Sequence, residues 1–173
     1  MILGVKMSKG IVIAGFSGIG KTTLASKYKN VIDLDAAEFA YDDHDLLHIP
    51  FEERKGRKRK DNPLWPQNYI DAILKAQYEY DIILVWDRED IIKEYISNHI
   101  NFILCYPAKE NLDHYILRYK KRGNSKEYIK WKLKQYDDKM ILFQSLDVEK
   151  IILTNDQTIE DYLKEKGIKL LKK

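Results

Sequence analysis

Cysteine occurs once in the 173 residues, at Cys105. No internal disulfide can form, and a four-cysteine zinc knuckle is excluded. With Ile103, Leu104 and Tyr106 around it, that thiol reads as a packed, inert strand residue, and a reducing compartment fits. No apolar run approaches the ~18 residues of a membrane span. The opening Met1-Ile2-Leu3-Gly4-Val5-Lys6 is too short for a signal-peptide core, so a cytoplasmic localisation without membrane partners is expected; Met7 is an alternative start. His44, His48, His99 and His114 show no metal-ligand spacing. Charge of one sign is also lacking: 30 basic against 27 acidic residues give +3, too little to imply a nucleic-acid partner by itself. With four prolines, eight glycines, no repeat and no low-complexity linker, the chain reads as one domain over 1–173. At 45% hydrophobic and 33% charged residues, the composition is that of a globular protein rather than a disordered one.

What is present is an alternation of short apolar runs and longer helical periods. Residues 11–14, 31–35, 81–87, 101–106 and 150–154 read as five strands. Between and after them, helices are expected over 21–29, through Ile70, Ile73, Leu74 and Gln77, and through Ile91, Ile92, Tyr95 and Ile96. Leu112, Tyr115, Ile116 and Tyr119 mark another helix. A long one follows through Ile129, Leu133, Tyr136, Met140 and Phe143, and Ile159, Tyr162 and Leu163 begin the last. Residues 36–62 have no clear period; Pro63 and Pro66 punctuate the chain after them. Strands alternating with helices imply a three-layer α/β/α fold on a five-stranded parallel sheet.

Directly after the first strand stands Gly15-Phe16-Ser17-Gly18-Ile19-Gly20-Lys21-Thr22. It matches G-x-x-x-x-G-K-[ST] at every fixed position, between an apolar strand and a helical pattern. Side chains at the glycines would clash where backbone N–H groups turn around a phosphate. Gly15, Ser17, Gly18, Ile19, Gly20, Lys21, Thr22 and Thr23 are therefore the expected contacts of a nucleoside triphosphate, ATP, bound with Mg²⁺. Lys21 would bridge the β- and γ-phosphates, Thr22 would place its hydroxyl on Mg²⁺, and the helix N-terminus would add its positive dipole end.

From this loop outward the chain resembles the small P-loop nucleoside and nucleotide kinases. The resemblance covers most of the sequence, with the loop as its specific part. It implies an acidic residue after the second strand that faces the acceptor hydroxyl as general base. Asp33 and Asp35 both stand there, and Asp35 is favoured because it lies nearer the carboxyl edge of the strand; the competing role is a cap for the segment starting at Ala36. The resemblance further implies a magnesium-supporting aspartate after the third strand, here Asp87, and an acceptor-contacting arginine beside it, Arg88. The adenylate kinase motif Asp-Gly-x-Pro-Arg is absent at that point. A mobile lid is implied at about 109–128, with Arg118 and Arg122 four residues apart to close on the phosphates and Gly123-Asn124 as hinge. The loop Thr154-Asn155-Asp156 would lie by the nucleotide base, with Asn155 as a contact.

The acceptor region implied by the resemblance is the insertion at about 36–68, with Phe39, Arg57, Trp65 and Asn68 as candidate contacts. Tryptophan can stack on a base and asparagine can pair with a base edge. The basic run 54–60 would attract a phosphate-bearing acceptor or a DNA or RNA strand, against the plainer reading of a solvated surface. Three functions stay open on these residues. They are a kinase of nucleosides or nucleoside monophosphates, a kinase of a nucleic-acid hydroxyl, and a non-catalytic nucleotide-binding module.

Overall fold

Parallel strands covered on both faces must be apolar throughout, and that rule selects the centre of this sheet. The computed structural model describes residues 9–54 and 57–173. Residues 1–8, with the alternative start at Met7, and positions 55 and 56 of the basic run lie outside the described residues. Strand β1 (Ile11–Gly15) leads through the phosphate loop into α1 (Lys21–Lys27) and β2 (Val31–Asp33). There follow α2 (Ala37–Ala40), β3 (Tyr41–Asp42), α3 (Phe51–Arg54) and β4 (Lys60–Asp61). Next come α4 (Gln67–Glu79), β5 (Ile82–Val85), α5 (Glu89–Ser97) and β6 (Phe102–Pro107). The chain ends with α6 (Leu112–Lys121), α7 (Lys126–Ser145), β7 (Lys150–Leu153) and α8 (Ile159–Glu165).

The five expected strands form one parallel sheet in the order β2-β5-β1-β6-β7. All four residues of β5 are buried, and so is β1 after Ile11, because these strands sit inside the sheet. Register pairs Ile13 with Leu84 on one side and with Ile103 on the other. Since β1 is central and its neighbours belong to later parts of the chain, the winding reverses across it, and ligand crevices in such sheets form at the strands' carboxyl ends. The phosphate loop leaves β1 at that end.

The helices bury the faces their spacing predicts, except that Ile96, expected on the buried face of α5, is 48% exposed at its last turn. Helix α4 buries Ile70, Ile73 and Gln77 against the sheet, and α5 buries Ile91, Ile92 and Tyr95. Helix α7 buries Ile129, Tyr136 and Phe143 at seven-residue intervals, starting from a Ser125 cap that accepts the Tyr128 N–H. A capping box of Thr158 and Asp161 starts α8. Helix α1 stops at Lys27 rather than Lys29, because Tyr28 turns extended and bridges Lys172. The described residues of 36–62, which lack a clear period, fold into α2, α3 and an antiparallel ribbon of β3 with β4. No helix among the described residues is long and apolar enough to cross a membrane.

Candidate active site

A cavity of about 370 Å³ opens over the phosphate loop. Its floor is Gly15, Ser17, Gly18, Gly20, Lys21, Thr22 and Thr23; one wall is Asp33, Leu34, Asp35, Ala36, Trp86 and Asp87; the other is Arg122, Tyr128, Trp131 and Lys132. A larger cleft, about 990 Å³, lies elsewhere, at the amino ends of the strands around Gly10, His99 and Glu149, away from the loop motif.

The loop is held from outside. The Ser17 carbonyl accepts the Tyr119 hydroxyl at 2.7 Å, the Gly18 carbonyl accepts Arg118 Nη1 at 3.1 Å, and the Ile19 carbonyl accepts the Ile159 N–H at 3.0 Å. In a planar trans peptide the N–H points opposite to its carbonyl. Three consecutive carbonyls taken by outer partners therefore leave the N–H groups of Gly18, Ile19 and Gly20 on the opposite, concave side of the loop. Gly18 and Gly20 take φ of +92° and +101°, which only glycine adopts without strain. A Cβ on Gly15 would meet Ile19 Cδ1 at 2.6 Å and Lys21 Cδ at 3.0 Å. The cradle is thus shaped for an anion rather than for side chains.

Lys21 donates to the Gly15 carbonyl at 2.6 Å and to the Phe16 carbonyl at 3.3 Å. Burial pushes its ammonium down from its ordinary value, while Asp87 and Asp33 pull it back up. Thr22 donates its hydroxyl to Asp33 Oδ2 at 2.8 Å. Asp87 is 3% exposed, receives Lys139 Nζ on Oδ1 at 2.5 Å, and keeps Oδ2 buried without a partner among the described residues. Lys132, from α7, is pushed down to about 8, first by burial and then by Lys139.

These groups suit Mg²⁺ held with a triphosphate. That ion keeps several waters and takes one or two protein oxygens plus phosphate oxygens, rather than a dedicated cage. Thr22, Asp33 and the orphan oxygen of Asp87 supply such a sparse set, and no cluster of three or more His, Cys, Asp or Glu suited to a metal occurs among the described residues.

Of the residues expected from sequence, Asp35, Asp87 and Arg122 reach the cleft beside the loop. Asp35 also takes the cap role, since Oδ1 accepts the Ala37 N–H at 2.9 Å. Ile19 contributes backbone only, with its side chain buried. Arg118 does not join Arg122 on the cleft wall. It bonds the Gly18 and Asp156 carbonyls and lies 4.6 Å over the Tyr115 ring. Arg122 caps helix α6 and still donates its N–H to the Arg118 carbonyl at 3.1 Å, so the two stay one turn apart while their side chains take different partners. Asn155 stands in that neighbouring loop at φ +51°.

Phe39, Arg57, Trp65, Asn68 and Arg88 do not line this cleft themselves. Phe39, Trp65 and Asn68 pack the insertion onto α4: Trp65 stacks on Tyr69 at 5.6 Å, Phe39 lies 5.2 Å from the same ring, and Asn68 Nδ2 donates to the Phe39 carbonyl at 2.9 Å. Arg88 is clamped by both oxygens of Asp90 at 2.5 Å and lies 4.6 Å over Trp86. The basic run is not a free arm. Arg59 grips Asp43 with two nitrogens, Arg54 donates to the Ile49 carbonyl at 2.7 Å, and Arg57 donates to the Glu53 carbonyl at 3.1 Å. Sequence reasoning missed Tyr119, Lys132 and Lys139. Their only signal is spacing on α6 and α7, where Lys132 and Lys139 stand seven residues apart on one face.

No protein-family model matches the chain, and no curated protein matches it. Its structure is similar to that of the Deinococcus radiodurans tunicamycin resistance protein, with a TM-score of 0.52 at 14% identity over 96% of this chain and 100% of that one. The likeness is one of fold. A five-stranded parallel sheet between helices, with the loop at the end of its central strand, is the P-loop NTPase-like arrangement.

Proposed function

We propose that this chain is a P-loop phosphotransferase of the small nucleoside and nucleotide kinase type. It moves the γ-phosphate of ATP, held with Mg²⁺, to a nucleoside or a nucleoside monophosphate. The observation that carries the reading is the tied-back loop: three outward carbonyls, three inward amides, and Lys21 and Thr22 at its end. Transfer forms a bond from the acceptor oxygen to the γ-phosphorus and breaks the bond from that phosphorus to the bridging oxygen, releasing ADP. For a hydroxyl acceptor the proton goes to a carboxylate on the cleft wall, for which Asp35 is placed, while Asp33 sits by Thr22. Lys21, Arg122 and Lys132 face the phosphates as the donors that bear developing charge. Magnesium, when bound, neutralises the β- and γ-oxygens.

A kinase of nucleic-acid hydroxyls draws less support. Arg54 and Arg59 are engaged within the insertion, and of the exposed basic residues Arg57 donates to the Glu53 carbonyl and Lys60 lies 3.9 Å from Asp42, so little of the run is held ready for a strand.

The test is acceptor-dependent ADP release from ATP and Mg²⁺ with nucleosides, nucleoside monophosphates, short oligonucleotides and, given the structural neighbour, tunicamycin. Release with at least one nucleoside or monophosphate is expected. A folded protein that binds ATP and releases no ADP with any member refutes phosphotransfer. Release with oligonucleotides alone refutes the small-acceptor reading.

A further inference from the structure

Asp87 is joined to a helix that begins as the cleft wall. Its Oδ1 receives the ammonium of Lys139, which comes from the middle of α7, and the two side chains are only 4% and 18% exposed. The same Nζ lies 5.3 Å from the centre of the Phe16 ring, in the phosphate loop itself. That ring is fixed in turn by edge contacts from Tyr136 at 5.7 Å and Tyr115 at 6.4 Å. Lys139 therefore has a seat defined by the loop on one side and by Asp87 on the other. An ammonium gripping one carboxylate oxygen fixes the rotation of the group and so the direction of the second. That second oxygen, Oδ2, is buried and without a partner among the described residues, and Asp87 lines the cleft.

We propose that Lys139 is a positioning residue for magnesium. It holds the Asp87 carboxylate by Oδ1 and so fixes the direction of the buried Oδ2, on a residue that lines the cleft where Thr22 and a triphosphate would seat the ion. Because Tyr128, Trp131 and Lys132 line the opposite wall from the same helix, metal seat and wall are built on one rod. A structural ion pair alone would contribute to stability and leave the metal affinity of the folded protein unchanged. Outer-shell partners of a ligating carboxylate, by contrast, tune the ligand, and their loss costs about 10–100-fold in metal affinity. The inference rests on the phosphate-loop reading above.

The experiment titrates Mg²⁺ calorimetrically into the whole chain saturated with a non-hydrolysable ATP analogue. The affinity for the analogue in EDTA is measured separately. In Lys139→Met, analogue affinity in EDTA should stay within about threefold of the parent while Mg²⁺ affinity falls about 10–100-fold. In an Asp87→Asn background, adding Lys139→Met should change Mg²⁺ affinity by less than about twofold, since the two act as one unit. Where Lys139→Met does not fold, Lys139→Gln is measured on the same criteria. A folded variant with unchanged Mg²⁺ affinity, or effects of the two substitutions that simply add, overturns the proposal. No analogue binding by the parent chain would instead overturn the phosphate-loop reading.

Discussion

Two tyrosines one helical turn apart, both on α6 and both against the phosphate loop, should answer oppositely to the loss of a single oxygen. Tyr119 is 2% exposed and donates to the Ser17 carbonyl at 2.7 Å. Tyr115 is 1% exposed, and among the described residues its hydroxyl makes no hydrogen bond of normal geometry; the Arg118 guanidinium lies 4.6 Å over its ring and touches the phenol electrostatically. Burial pushes both phenols up, that of Tyr115 to about 12, so each keeps its proton at neutral pH and only the hydrogen bond differs. Tyr119→Phe removes one neutral hydrogen bond and leaves a loop carbonyl short of a partner, a loss of about 1–2 kcal/mol. In a domain of this size that lowers Tm by roughly 3–6 °C. Tyr115→Phe removes an unsatisfied buried hydroxyl and should be neutral or stabilising by up to about 1 kcal/mol. Tyr119→Phe should also weaken triphosphate binding by up to about tenfold, because the loop no longer waits in its binding conformation; Tyr115→Phe should leave binding unchanged. Urea unfolding with coincident probes, together with calorimetry, reads all four quantities. A loss under about 0.5 kcal/mol for Tyr119→Phe, or an equal loss for Tyr115→Phe, refutes the claim that outer hydrogen bonds shape the loop.

Other outcomes follow from the same geometry. Lys21→Met should keep the fold, since it removes an ammonium that burial disfavours, yet weaken Mg-triphosphate binding by at least about 100-fold (~3 kcal/mol); retained affinity would show the loop is not a phosphate site. Glu160 ties α1 to α8 and is held down to about 2, chiefly by Lys164 and then Lys27, both at 2.7 Å, with Tyr28 adding a third bond. Its folded value lies below its ordinary 4.5, so its stabilisation is present above about 4.5 and lost as pH falls toward 2. Glu160→Gln should lower Tm at neutral pH and flatten the acid limb in that window; an unchanged limb would count against it. Lys132, at about 8, should take up a proton when phosphates arrive near pH 8, seen as a binding heat that varies with buffer ionisation enthalpy. The dependence should vanish in Lys132→Met, and a dependence identical in both proteins would place Lys132 off the phosphates.

The chain by itself determined the features that are local or periodic. A strand, a glycine-rich turn and a helix start are contiguous, so the phosphate loop was legible residue by residue, as were five strands whose apolar runs answer to burial on both faces. That Asp35, Asp87 and Arg122 would lie beside the loop was legible because strand ends and the segment after α6 are places in the chain as well as in space. Only the tertiary structure separated Arg118 from Arg122: they stand one helical turn apart, but the Gly18 and Asp156 carbonyls hold Arg118 while Arg122 lines the cleft. The basic run shows the limit most plainly. Its charges look alike in sequence, but Asp43 gathers Arg54 and Arg59 while Lys58 is exposed, because an ion pair depends on where a distant carboxylate comes to rest. Lys139 on Asp87 is the same case at a longer separation, from the end of β5 to the middle of α7: helical spacing put it on α7, and packing alone decided what its ammonium would hold.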